Sequence, residues 1–112
     1  MSLKVPLDEL RAVVEDYGAT AYVVTGAGTG APRITHVSPR FVGDTIEVVI
    51  GGNASRAAVE NPQVSLLWPA TEHKSMSVIV DGVAQVEGEP GPDTVVRVTP
   101  TGAVRHRSAP AS

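Results

Sequence analysis

Seven short stretches rich in β-branched and apolar residues, most of them bounded by glycine or proline, limit what this chain can fold into. They run Thr20 to Thr25, Arg33 to Phe41, Thr45 to Ile50, Val64 to Trp68, Ser75 to Val86, Thr94 to Thr99 and Ala103 to His106. Ile46, Val48 and Ile50 alternate onto one face, as a strand with one buried side requires. Val64 to Trp68 reads as a strand buried on both faces. The longest stretch, Ser75 to Val86, carries Asp81-Gly82 in its interior. A glycine there marks a bulge or sharp bend, by which a strand turns the corner of a small barrel. Gly43-Asp44 makes a turn between extended neighbours. The glycine-rich Gly26 to Pro32 reads as a hairpin loop, because a dinucleotide fingerprint needs its glycines to open a helix and Pro32 leads into another strand. Two short helices interrupt the strands. Leu7, Leu10, Val14 and Tyr17 fall at helical spacing after Pro6 and stop at Gly18, and a second helix follows Gly52. The pattern predicts a mainly β fold, a small antiparallel barrel of six or seven strands with two short helices.

At 112 residues the chain is expected to be a single domain over 1–112, with 107–112 as a frayed tail. That length is short for an enclosed active site, which a dimer with a shared site would solve. Nine basic and twelve acidic residues are scattered to a net charge of −3, which leaves no electrostatic footprint for nucleic acid. Without cysteine there is neither a disulfide nor a thiolate metal site. No apolar run approaches the roughly 20 residues that span a bilayer, and no signal-peptide pattern opens the chain, so no membrane partner and a cytoplasmic location are expected.

The chemistry concentrates in Gly51 to Pro69, GGNASRAAVENPQVSLLWP. A helix start leaves amide donors unpaired and its dipole favours negative charge, which makes it an anion site. Gly51 and Gly52 permit close approach, Arg56 supplies a cation, and Asn53 or Ser55 can cap the helix. Read without a ligand, the same residues make an ordinary capped helix with a solvated arginine. Arg33 to Phe41 is dense in polar groups on both faces, which suggests that one face lines a cavity. His36, His73 and His106 lack mutual metal-site spacing, no serine occupies a nucleophile elbow, and no carboxylate pair suggests acid–base work. No metal site and no catalytic residue can be named, and a reaction here would rely on a cofactor.

The string SRAAVENPQVSLLWP, preceded by TIEVVI and followed by SMSVIVDGVAQVEG, resembles the core of the pyridoxamine 5'-phosphate oxidase-like family of flavin-binding split β-barrels. The resemblance covers about Leu7 to Arg107. It implies a homodimer binding FMN, or the deazaflavin F-420 used by relatives, at its interface and acting on a small-molecule substrate as an oxidoreductase. Carried over residue by residue, the implied cofactor contacts are Thr35, His36, Val37, Ser38 and Arg40 on one strand, Ile50, Gly51 and Gly52 at the end of the next, the pair Ser55 and Arg56, and Ser77 early in the long strand. Two departures bear on activity. Ala57 stands where the family often has a second basic residue, and Glu87 to Asp93 replaces a longer helical connection. The alternative implied by those departures is a non-enzymatic split-barrel module that binds, stores or senses a flavin-like ligand, or binds none.

Overall fold

In a computed structural model, which describes residues 2–28 and 30–108, the strands are β1 (Ser2–Lys4), β2 (Ala21–Thr25), β3 (Arg33–Val37), β4 (Arg40–Val42), β5 (Thr45–Ile50), β6 (Gln63–Trp68), β7 (Ser77–Val86) and β8 (Thr94–His106). The helices are α1 (Leu10–Val14), flanked by 3-10 turns at Leu7–Glu9 and Glu15–Tyr17, and α2 (Gly52–Glu60). From residue 109 on, the tail expected to fray lies outside the described residues.

All strand pairs are antiparallel, in the order β3-β2-β6-β7-β8-β5-β4, and β1 pairs with the far end of β8. The two ends of this order, β3 and β4, are separated along the chain only by Ser38 and Pro39. Three Cα steps of about 3.8 Å hold Val37 and Arg40 within roughly 11 Å. The sheet therefore curls until its edges approach, which is a split barrel. Proline has no N–H for a ladder, and no bulge absorbs Pro39, so the polar stretch from Arg33 to Phe41 is not one strand. It divides at Ser38-Pro39 and crosses from one edge of the sheet to the other.

Other boundaries also differ from the sequence reading. The longest strand is β8, thirteen residues, rather than the ten-residue β7. The two stretches expected on either side of Pro100 merge, because a bulge absorbs the interruption. Asp81 faces Gly102 while Gly82 faces Pro100, leaving Thr101 as the extra residue, its hydroxyl donating to the Asp81 carbonyl at 3.2 Å. The bend expected at Asp81-Gly82 is thus present, and close packing makes glycine necessary there. A Cβ on Gly82 would lie 2.6 Å from Val98 Cγ1 and 2.8 Å from the Thr99 carbonyl oxygen.

Inward-facing residues of the sheet, among them Val23, Ile46, Val48, Leu66, Val80 and Val98, form one core into which α1 lays Leu10 and Val14. Strand β6 is buried on one face only. Val64, Leu66 and Trp68 point inward, whereas Ser65 and Leu67 are half-exposed. The outward faces align across strands. Tyr22, Leu67, Ile79 and Val104 are successive cross-strand partners on β2, β6, β7 and β8, and all four are half-buried. Among the described residues, no helix is long and apolar enough to cross a membrane.

A groove between the sheet edge and a helix start

Helix α2 begins after Gly51, whose carbonyl accepts from Ser55 N at 2.9 Å. The backbone at Gly51 is extended and no side chain caps the helix, so neither Asn53 nor Ser55 does the work expected of it. Both are turned to other partners. Ser55 is fully buried and its hydroxyl donates to the Gly52 carbonyl at 3.0 Å, while Asn53 Oδ1 accepts from Arg56 at 2.6 Å. The amides of Gly52, Asn53 and Ala54 thus have no acceptor within the helix. Arg56 folds back over this uncapped start, so that a Cβ at Gly52 would lie 3.2 Å from its guanidinium. At Gly51 a Cβ would meet nothing within 4 Å, so the approach to the amides is open from that side.

Facing the helix start across an open groove of about 520 Å³ is the beginning of β3. Pro32, Arg33, Ile34 and Thr35 form one wall and Gly51 to Ala54 the other. Arg33 is the residue that sequence reasoning left out of the site. It supplies a second cation, which Ala57 does not, although it lies far from Arg56 in sequence. Its place as the first residue of a polar edge strand was the available signal. Among the described residues neither Arg33 nor Arg56 has an acidic partner.

Further along β3 a second depression of about 280 Å³ is lined by His36, Val37 and Ser38 with Thr20 and Val49. The two concavities follow one another along β3, with residues 32–35 lining the first and residues 36–38 the second, opposite residues 51–54 and Val49 respectively. Val37 and Ile50 turn their side chains into the core, whereas His36 is exposed and stacks on Tyr22 with ring centroids 4.7 Å apart. Apolar surface is also exposed here, with Ile34 at 68% and Val49 at 52% accessibility. Two cations, free amides, exposed aliphatic side chains and an unpaired strand edge suit a ligand with a phosphate at one end and an apolar body at the other.

Arg40 and Ser77 are brought into neither concavity. Arg40 lies on β4, at the opposite edge of the sheet, and donates to Glu47 Oε1 at 2.8 Å. Glu47 also pairs with Arg97 at 3.4 Å, and Arg97 reaches Glu87 at 3.2 Å. The Glu47 carboxyl is held below the usual carboxylate range chiefly by the hydrogen bond from Arg40, with partial burial opposing and Arg97 reinforcing it. Ser77 lies three ladder steps from β3, about 14 Å at roughly 4.8 Å per step, and its hydroxyl accepts from Ala70 N at 2.9 Å. It faces outward beside the Tyr22–Leu67–Ile79–Val104 row.

No family model matches the chain. It is 32% identical to an uncharacterised protein of Mycobacterium bovis and equally to one of Mycobacterium tuberculosis, over 95% of this chain and 82% of theirs. Among solved structures, it superposes on a Clostridium acetobutylicum protein related to general stress protein 26, of the pyridoxinephosphate oxidase family, with a TM-score of 0.70, 13% identity and coverage of 92% and 91%. For the FAD-binding protein of Mycobacterium smegmatis the values are 0.67, 22%, 96% and 100%. For an F420 reductase they are 0.60, 14%, 76% and 88%.

Proposed function

The chain belongs to the same family as the two mycobacterial proteins and has the split-barrel fold of pyridoxamine 5'-phosphate oxidase-like proteins, and from that premise we propose that it binds a flavin-type cofactor in the split between β3 and α2. The observation that carries this reading is a groove lined by Arg33 and by Gly51 to Ala54 at an uncapped helix start, with the Arg56 guanidinium beside Gly52. A phosphate dianion held by one guanidinium is only partly balanced, whereas two guanidiniums with helix-start donors match its charge and its acceptors. In this reading Thr35 to Ser38 and Val49 to Gly51 flank the cofactor's ring, and Ser55 shapes the turn from beneath. The cofactor, FMN or the deazaflavin F-420, would carry the electrons of an oxidoreductase acting on a small molecule. The chain's own groups would bind it, orient it and exclude water.

A second copy completes the arrangement. The row Tyr22, Leu67, Ile79 and Val104 leaves a strip of apolar surface on the outer face of the sheet, with His36 at one end and Ser77 beside it. An isologous contact on this face would cover the strip and carry the partner's polar groups towards the split. Two measurements test the proposal. The purified protein titrated with FMN and with F-420 is expected to perturb the visible absorption of at least one of them saturably. Sedimentation is expected to show a dimer. Saturable binding without turnover of any reductant would instead favour the non-enzymatic module, and no binding of either cofactor would refute the reading.

A further inference from the structure

Beyond the cofactor split, two more crevices follow the chain past Pro39. One, about 240 Å³, lies between α1 and the Pro39–Phe41 crossover; the other, about 450 Å³, lies between Leu7–Arg11 and the Gly43–Asp44 turn. They share Arg11 and Phe41 and so form one trough along α1, of a size that takes a small molecule. Its apolar lining includes Leu7, Leu10, Val14, Phe41, Trp68 and Pro100, and Phe41 stacks on Trp68 with centroids 6.3 Å apart. Asp8 and Asp44 line the larger crevice and Glu15 the smaller, against the single cation Arg11. Among the described residues none of these four side chains forms an ion pair with a fixed partner. The lining charge is therefore negative in the larger crevice and balanced in the smaller, where Glu15 meets Arg11. No group of three metal-ligating side chains forms among the described residues, which argues against a bare metal ion as occupant.

We propose that this trough binds an amphipathic organic cation, an apolar body carrying one positively charged nitrogen. The apolar body would lie on Leu10, Phe41 and Pro100, and the nitrogen would face Asp8 and Asp44. Carboxylates attract the charge, and an aromatic wall tolerates it better than an aliphatic one does. An amphipathic anion fits worse, because it would approach three acids for one arginine. The proposal goes beyond the cofactor reading and does not rest on it, since no residue lines both the trough and the split.

Trp68 is the one tryptophan of the sequence, lines the smaller crevice and stacks on Phe41, which lines both, so its fluorescence reports occupancy of the trough. The probe is decyltrimethylammonium below its micelle concentration, with decanoate as the matched anion. Saturable change in Trp68 emission is expected with the ammonium, and binding of decanoate about tenfold weaker. Asp8→Asn and Asp44→Asn are each expected to weaken ammonium binding about two- to fivefold, the range for exposed charge contacts. Both side chains are exposed, and asparagine keeps the turn and helix-start preferences, so circular dichroism should be unchanged. No saturable response to the ammonium, decanoate binding as tightly, or a double Asp variant with unaltered affinity would overturn the proposal. Flavin absorbance is silent to all three outcomes, so a failed cofactor titration remains a separate result.

Discussion

The β7–β8 corner and the β3–α2 split are both built around glycine, yet they use it in opposite ways. At the corner, Gly82 is glycine because Val98 and the Thr99 carbonyl leave no space for a Cβ. At the split, Gly51 faces open space, and the missing side chain leaves the helix amides accessible. The corner is closed by the protein itself. In the split, the guanidiniums lack acidic partners among the described residues, Ile34 and Val49 are exposed, and the helix start is uncapped. Substitutions at the first should therefore register in stability and those at the second in affinity.

The sharpest break in this contrast is Gly82→Ala, which forces a methyl against backbone as well as side chain. It is expected to cost about 3 kcal/mol, measured as a lower denaturant midpoint with little change in slope. Gly51→Ala, by comparison, should alter stability by less than about 1 kcal/mol. Second in size is Arg56→Ala. It should change stability by no more than about 0.5 kcal/mol but weaken flavin binding by about ten- to a hundredfold, the value of one charge-assisted contact. Equal affinities for the two proteins would remove Arg56 from the site.

Smaller effects test how complete the closed region is. Thr25 is 1% exposed, and its hydroxyl is the single buried side-chain polar atom without a hydrogen-bond partner among the described residues. Thr25→Val keeps the shape and removes the orphan group, so it should stabilise by about 1 kcal/mol in thermal unfolding. The Arg40–Glu47–Arg97 network makes a still smaller, pH-dependent contribution. Because the folded-state pKa of Glu47 lies below the ordinary value of 4.5, its stabilisation is complete above that value and is lost as pH falls through the folded pKa. Glu47→Gln should flatten the acid limb of the stability profile by slightly lowering stability at neutral pH, with variant and wild type converging at low pH.

Most of the fold was legible because its signals are local. The alternation of Ile46, Val48 and Ile50, the stop at Gly18 and the bend at Asp81-Gly82 are each read within a few residues. Closure of the barrel was also implicit, although the division at Ser38-Pro39 required attention to what proline removes from a ladder. Strand β1 was missed, since three exposed residues, Ser2 to Lys4, carry no alternation of their own and pair only because β8 extends past β5. The candidate groove was legible in part. Arg56 and Gly51 to Gly52 announce a helix start, whereas Arg33 joins them only through the β2–β3 hairpin and the curl of the sheet. Arg40 was expected in the site as part of one strand running Thr35 to Arg40, and the crossover places it on the other edge with Glu47.

The central claim is that Arg33 and Arg56 together hold a phosphate, and it is tested most directly by comparing FMN with riboflavin, which lacks one. Both ligands are titrated into the wild-type protein and into the Arg33→Ala/Arg56→Ala double variant. The wild type should prefer FMN by at least about tenfold, and the double variant should bind the two alike, because the arginines act on the phosphate alone. A preference for FMN that survives loss of both arginines, or a wild type that does not distinguish the two ligands, would contradict the account.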